Sequence, residues 1–187
     1  MGKRTEGLVL RVQTLEGVFV GNMSLREIRT AQIGRCGELL VQYRLLLCGV
    51  ESAPMTTDSG VDLVAYSPSN GEAVTIQVKT NLKPKRGGGK GKLALDWWLP
   101  VISPAKYVAL VNLQDPPQIW LFSHAEMAAL SQQQTKDTLH LYMYVDSAVK
   151  TKTGKLAHCA EFEKFEKFLL ENRVGEVFGM PHLPDKH

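Results

Sequence analysis

Residues Gly60–Asn81 read GVDLVAYSPSNGEAVTIQVKTN and predict two β-strands joined by a turn rich in Pro, Ser, Asn and Gly. Asp62 opens the first strand, and Gln77 and Lys79 lie near the end of the second. Because strand residues two apart share a face, Gln77 and Lys79 are expected side by side, opposite the face of the intervening apolar residues. The same parity places Glu72 on the wrong face to act with them. This hairpin therefore predicts a cluster of an acid, an amide and a lysine.

A helix is predicted upstream, from a capping box at Ser24–Glu27 to Gly49. The apolar residues expected to form its buried stripe are Ile28, Ile33, Leu39, Leu40, Tyr43, Leu46 and Leu47. Gly34 and Gly37 predict a break in the middle of this helix. Glu38 follows directly and is expected at the edge of the buried stripe, because it lies about 100° around the helix from Leu39.

Further strands and helices are predicted on both sides of the hairpin. Strands are expected at residues 50–55, 107–113, 119–122 and 139–145, and helices at residues 123–132 and 160–172. Between them, residues 83–92 read KPKRGGGKGK and predict a flexible basic loop without regular structure. The pattern favours one α/β domain with a mixed central β-sheet flanked by helices.

The division of the chain is predicted to be simple. Residues 24–178 are expected to form a single domain, and residues 179–187 a loose tail. Residues 1–23 form either an N-terminal strand or hairpin or a leader, and Met1 and Met23 both remain open as the natural start.

Composition excludes several classes of protein. With 44% hydrophobic and 22% charged residues, the 187-residue chain is typical of a globular protein rather than a disordered one. The formal charge of +3 permits an anionic partner without requiring one. Cys36, Cys48 and Cys159 have no metal or disulfide spacing, which favours reduced thiols and a cytoplasmic location. No apolar run is long enough for a membrane span, and the five histidines show no metal-ligand spacing.

The run from Gly34 to Asn81 resembles the core of the PD-(D/E)XK nuclease superfamily, which includes Holliday-junction resolvases and intron-encoded homing endonucleases. The resemblance is carried by Glu38 in GRCGE, Asp62 in GVDLVAY, and the pair Gln77 and Lys79 in QVK. It implies a restriction-endonuclease-like core and metal-dependent hydrolysis of DNA phosphodiesters. It also implies a homodimer or higher homo-oligomer, because two strands must be cut.

The resemblance assigns roles to these four residues. Glu38, Asp62 and Gln77 are implied as ligands of Mg²⁺ or Mn²⁺, and Lys79 as the catalytic lysine that positions or activates the attacking water. Gln77 departs from the family pattern, because Asp or Glu is more common there. An amide oxygen still coordinates a hard cation, but the lost negative charge weakens the metal site. Glu51 compensates only if the first strand bends it inward.

Two alternatives to a nuclease remain open. The chain is either a nucleic-acid-binding module that keeps the fold without catalysis, or a protein-interaction scaffold without nucleic-acid affinity. If it binds DNA, phosphate contacts are expected from the basic loop, at Lys83, Lys85, Arg86, Lys90 and Lys92; a solvated loop is the competing interpretation. Trp97 and Trp98 are expected either to stack on bases or to pack, with at least one in the core. Phe162, Phe165 and Phe168 are expected to pack or to form a dimer surface.

Overall fold

The computed structural model describes residues 28–57, 59–68 and 71–179. The predicted N-terminal strand, hairpin or leader, the capping box at residues 24–27 and the tail from residue 180 onward lie outside the described residues. The division of the chain at residues 23 and 179 therefore stays a prediction.

Within the described residues, the chain forms four helices and nine strands. The helices are α1 (Thr30–Leu47), α2 (His124–Leu130), α3 (Ala157–Phe165) and α4 (Leu170–Phe178). The strands are β1 (Glu51–Pro54), β2 (Leu63–Tyr66), β3 (Ala73–Asn81), β4 (Lys85–Arg86), β5 (Leu93–Pro100), β6 (Tyr107–Asn112), β7 (Gln118–Ser123), β8 (Gln133–Gln134) and β9 (Thr138–Tyr144). None of the helices in this part of the chain is long and apolar enough to cross a membrane.

A five-stranded sheet in the order β1-β2-β3-β6-β7 forms the centre. β3 and β6 are parallel, whereas the β1–β2, β2–β3 and β6–β7 pairs are antiparallel. The predicted α/β fold with a mixed central sheet flanked by helices is confirmed. A second sheet, in the order β4-β5-β9-β8, is antiparallel throughout.

The two faces of the central sheet bury two separate cores. On one face, α1 and α4 pack on alternate residues of β3, including Val74, Ile76 and Val78. On the other face, β5 and β9 of the second sheet pack on β6 and β7, where Val108 and Leu110 are fully buried. Apolar side chains on both faces are thereby removed from water, so the central sheet is covered on both sides.

The position of α1 is set by a glycine. A Cβ on Gly37 would lie only 1.9 Å from Thr80 Oγ1, so a residue with a side chain does not fit between α1 and β3 without movement. The buried residues of α1 are consequently Gly37, Val41 and Leu45.

The predicted buried stripe of α1 was mostly wrong, since of its seven residues, all within the described part of the chain, only Leu40 packs against the core. Leu39, Tyr43, Leu46 and Leu47 are between 51% and 65% exposed, because the helix turns the Gly37 side toward the sheet. The predicted break was also wrong, since the helix continues through both Gly34 and Gly37.

The C-terminal helical region differs from the predicted single helix at residues 160–172. A 3₁₀ turn at Glu166–Phe168 and an extended Leu169 separate α3 from α4. Phe165 and Phe168 are buried against Phe122, whereas Phe162 is 48% exposed. Residues three apart share one side of a helical segment, which is consistent with both phenylalanines entering the same core.

The capping box predicted at the start of α2 is confirmed. The Ser123 hydroxyl accepts a hydrogen bond from the Glu126 amide at 3.2 Å, and the Glu126 carboxylate accepts one from the Ser123 amide at 2.8 Å. Arg173 of α4 contacts the same carboxylate at 2.6 Å. Burial alone would raise the pKa of Glu126, but the Ser123 hydrogen bonds and the Arg173 charge hold it below its ordinary value.

Candidate active site

Asp62 is bonded to the backbone on both sides of Gln77. Its amide donates to the Ile76 carbonyl at 3.0 Å, and its Oδ2 accepts from the Val78 amide at 2.6 Å. The β2–β3 register, with Leu63 opposite Ile76, brings the two segments together. The structure therefore holds Asp62 beside Gln77, as the hairpin predicted.

Gln77 carries a buried polar atom that has no partner. Its side chain is 6% exposed, and Oε1 makes no hydrogen bond within the described residues. A buried acceptor without a partner costs about 1–3 kcal/mol. The amide nitrogen end lies toward Gly60, where an added Cβ would be 3.9 Å from Nε2. An amide oxygen in need of a donor or cation thus lies next to a carboxylate.

The segment before β6 covers part of this face. Thr75, which shares a face with Gln77, accepts a hydrogen bond from the Lys106 amide at 2.9 Å and donates to the Pro104 carbonyl at 3.3 Å. Pro104 also lies 3.2 Å from a Cβ built on Gly60, whose φ of +80° is a glycine conformation. Sequence reasoning missed Pro104 because it is 29 residues from Thr75 and belongs to no motif.

Lys79 lies on the same face of β3 as Gln77. In the parallel register, Gln77 is opposite Val108 and Lys79 is opposite Leu110. Both partners belong to the core on the second-sheet side, so the predicted parity of β3 is confirmed. Lys79 is partly exposed to solvent.

Glu38 approaches β3 from the opposite face. Gly37 of α1 lies against Thr80 of β3. Glu38 is the next residue after Gly37, and Lys79 is the residue before Thr80, so Glu38 and Lys79 both adjoin this contact. The Glu38 carboxylate pairs with Arg35 Nη1 at 2.7 Å, and its side chain is 25% exposed. Glu38 is therefore near the end of β3 but already has a cationic partner.

Three or more metal-binding side chains do not converge here. Within residues 28–57, 59–68 and 71–179, no such group of His, Cys, Asp and Glu is close enough to hold a metal ion. Glu51, the possible substitute ligand, is exposed on β1 opposite Tyr66. The predicted ligand set of Glu38, Asp62 and Gln77 has two carboxylates and one amide, and stays a prediction.

The basic segment has more structure than predicted. Lys85 and Arg86 form β4, which pairs with Ala94 and Leu93 of β5, and Gly87–Gly89 form a 3₁₀ turn. The expectation of a loop without regular structure was wrong, because β4 completes an edge of the second sheet. Lys83, Lys85, Arg86, Lys90 and Lys92 are all exposed, and their phosphate contacts stay a prediction.

A cavity of about 500 Å³ lies elsewhere, between α3 and the strands β5, β7 and β9. Its polar lining residues include His158, Cys159 and Glu161. Burial raises the pKa of Glu161 above its ordinary value, and Lys164 opposes this only in part. None of the four predicted active-site residues lines this cavity.

Comparison with known proteins gives structural likeness alone. No family model matches the chain, and no curated protein matches it in sequence. A bacterial homing endonuclease is similar with a TM-score of 0.46 and 13% identity, over 79% of this chain and 96% of the other. A Holliday junction resolvase of the archaeal hyperthermophile Archaeoglobus fulgidus gives 0.41 and 15%, over 60% and 91%. MepB gives 0.36 and 10%, over 71% and 94%. At these scores, likeness is no evidence of shared function.

Proposed function

We propose that this protein is a metal-dependent DNA endonuclease of the PD-(D/E)XK type, with Glu38, Asp62, Gln77 and Lys79 as its active site. The observation that carries the proposal is the bonding of Asp62 to the backbone flanking Gln77, whose own Oε1 is buried without a partner. An acid and an orphaned amide oxygen side by side, with a lysine two residues on, match the needs of phosphodiester hydrolysis.

The donor chemistry suits Mg²⁺ or Mn²⁺. Both are hard cations that take oxygen ligands, and Mg²⁺ is held by one or two carboxylates while it keeps several waters. Asp62 and the Gln77 amide oxygen would hold the ion on their shared face of β3, and Glu38, on the α1 side of the strand, would have to reach around β3 to join them. When bound, such an ion neutralises charge on the phosphate and makes water more acidic. Glu38 would join this set by exchanging its partner Arg35 for the ion.

Lys79 would bind the phosphate and stabilise the charge that develops on its oxygens. Its cross-strand neighbour on β6, Leu110, is apolar and fully buried, so the ammonium group acts beside a region of low dielectric, where its effect is larger than in water. The exposed cations of residues 83–92 would contact the DNA backbone. We also propose a cytoplasmic location and a homodimer or higher homo-oligomer, so that both strands are cut.

A nicking assay on supercoiled plasmid tests this function. The protein is expected to nick DNA with Mg²⁺ or Mn²⁺ and not in EDTA, and Lys79→Ala is expected to reduce the rate about 100-fold. Lys106→Ala, which removes an exposed lysine close to the same face, is the control and should nick at the wild-type rate. Equal rates for Lys79→Ala and wild type would exclude Lys79 as the catalytic lysine.

A binding module without catalysis is the second candidate. It is favoured by the neutral Gln77, by the ion pair that occupies Glu38, and by the missing third carboxylate among the described residues. Such a module would bind DNA with strong salt dependence and would not cleave it with any divalent cation.

Gln77→Glu distinguishes the two candidates. A buried, unpaired carboxylate is unfavourable, so the variant is expected to have a Tm below wild type in EDTA, and Mg²⁺ should restore it by binding the native state. In an enzyme, this change should lower the Mg²⁺ concentration needed for half-maximal cleavage. In an inactive module, cleavage should appear only in the variant.

Gln114→Glu, at an exposed loop position, is the matched control and should respond to Mg²⁺ as wild type does. If Mg²⁺ changes the Tm of neither wild type nor Gln77→Glu, the proposed metal site is wrong.

A further inference from the structure

The outer face of the second sheet carries a row of aromatic side chains. Trp98 of β5 and His140, Tyr142 and Tyr144 of β9 occupy alternate positions, and we call these four residues the aromatic row. Their odd-numbered neighbours, such as Leu95 opposite Met143, point into the core. The aromatic row therefore lies on the face that points away from the central sheet.

The rings of the aromatic row contact one another in sequence. Trp98 and His140 are directly opposite in the β5–β9 register and stack with centroids 3.8 Å apart and planes inclined by 10°. The centroids of His140 and Tyr142 are 5.4 Å apart, and those of Tyr142 and Tyr144 are 5.3 Å apart. The four rings thus form one continuous row, in which Trp98 is exposed and the other three are partly buried.

Packing does not account for Trp98. Its neighbour Trp97 is buried and meets Trp120 edge to face, whereas Trp98 is 50% exposed. His140 covers one face of the indole. The rest of the indole is left open to solvent, where it is available to a stacking ligand.

Positive charge adjoins one end of the aromatic row. Lys85 of β4 is opposite Ala94, and Ala94 is opposite Tyr144, so these residues form one cross-strand line on the same face. The exposed Arg86, Lys90 and Lys92 continue the same edge of the sheet.

Three carboxylates are also close to this surface. Asp96 lies 3.6 Å from His140 Nε2. The pKa of Asp146 is lowered by the Ala148 amide and by the charges of Lys92 and Arg86, which indicates that these groups lie close together. Burial, Tyr144 and the charge of Glu161 raise the pKa of Tyr142, so a third carboxylate lies near the aromatic row. The five cations of residues 83–92 exceed these three acids, so the surface keeps an excess of positive charge.

We propose that the aromatic row and the β4 edge bind single-stranded DNA, with bases stacked on Trp98 and the tyrosines and the sugar–phosphate backbone along the cations. Exposed aromatic rings beside cations are the arrangement that binds unpaired nucleotides, because every base offers a π-face while the phosphates need positive charge. Bases within a duplex are already stacked and cannot use this surface. The proposal rests on the proposed nuclease function and narrows its substrate to DNA with an unpaired segment.

Binding of labelled oligothymidine in EDTA tests the proposal, because no metal-dependent cleavage occurs there. Trp98→Ala is expected to weaken this binding about tenfold, as expected for one base–aromatic stack, and Trp98→Phe should recover most of the loss. Binding of a duplex of equal length should not change. Phe162→Ala, which removes another aromatic ring of similar exposure on α3, is the matched control and should bind as wild type does.

Salt dependence separates stacking from charge. Trp98→Ala should leave the slope of log K against log salt unchanged, whereas the double variant Lys90→Gln/Lys92→Gln should reduce it by about 1.4, at about 0.7 per phosphate contact. Tyr142→Leu provides a second test of stacking and is expected to weaken oligothymidine binding as well.

Three results would overturn the proposal. They are wild-type affinity in Trp98→Ala and Tyr142→Leu, an equal loss of duplex binding, or tighter binding of oligouridine than of oligothymidine. Failure of the nuclease function gives a different result. If the protein never nicks plasmid but binds oligothymidine through Trp98, the aromatic-row proposal stands and the proposed active site is wrong. If the protein nicks plasmid but Trp98→Ala and Tyr142→Leu bind oligothymidine as wild type does, the nuclease function stands and the aromatic-row proposal is wrong.

Discussion

Replacing Asp62 with asparagine is expected to reduce Mg²⁺-dependent plasmid nicking about 1,000-fold while the protein stays folded. Asparagine keeps a side-chain oxygen that accepts the hydrogen bond from the Val78 amide, now 2.6 Å from Asp62 Oδ2. It removes the negative charge, which supplies several kcal/mol of the stabilisation of a bound cation and hence of the transition state. The nicking rate and the urea midpoint of the same preparation measure the two effects separately.

Asp62→Ala extends this test, because it removes the acceptor as well as the charge. The amide of Val78, in β3, would then lose its hydrogen-bond acceptor, which should lower the free energy of unfolding by about 1–3 kcal/mol. The alanine variant should therefore be both inactive and less stable, and the asparagine variant only inactive. Substantial nicking by Asp62→Asn would show that the carboxylate serves the fold and not the reaction.

Gly37→Ala is expected to destabilise the protein by about 1–3 kcal/mol, as overpacking of a filled contact does. The new Cβ would lie 1.9 Å from Thr80 Oγ1 and 2.9 Å from Thr80 Cβ. The hydroxyl end can turn away, but the Cβ atom is fixed to β3, so α1 must move from the sheet. Urea unfolding of both proteins measures the difference in the free energy of unfolding.

Gly34→Ala is the matched control, since it makes the same change three residues earlier in the same helix. No atom lies within 4 Å of a Cβ at Gly34, so only the helix propensity changes, and stability should rise by about 0.5–1 kcal/mol. Adding Thr80→Ala to Gly37→Ala should relieve part of the clash, with a coupling energy well above zero. A stabilising Gly37→Ala would mean that α1 does not approach β3 this closely.

The hairpin was predictable because its determinants are local. Alternating residues set the two faces of β3, and the turn residues joined β2 to β3, so Asp62 was expected beside Gln77. In the structure Asp62 is hydrogen-bonded to the residues before and after Gln77. The capping box of α2 is equally local, because both of its partners lie within one turn of the helix.

The remaining differences come from contacts between segments distant in the chain. The apolar face of α1 was predicted from side-chain hydrophobicity, but the Gly37–Thr80 contact rotated the helix and left Leu39 and Tyr43 exposed. The basic residues gained a strand because β5 supplied hydrogen bonds to Lys85 and Arg86. No local pattern reveals a partner that is far away in sequence.

By itself, the sequence determined the β2–β3 hairpin, the face shared by Gln77 and Lys79, and the kind of chemistry those residues suit, because strand parity depends only on neighbouring residues. The tertiary structure alone decided that Gln77 Oε1 is buried without a partner, that Glu38 pairs with Arg35 on the other side of β3, and that Trp98 lies outside while Trp97 lies in the core. Burial and partnership depend on which segments pack together, and that depends on the free energy of the whole chain.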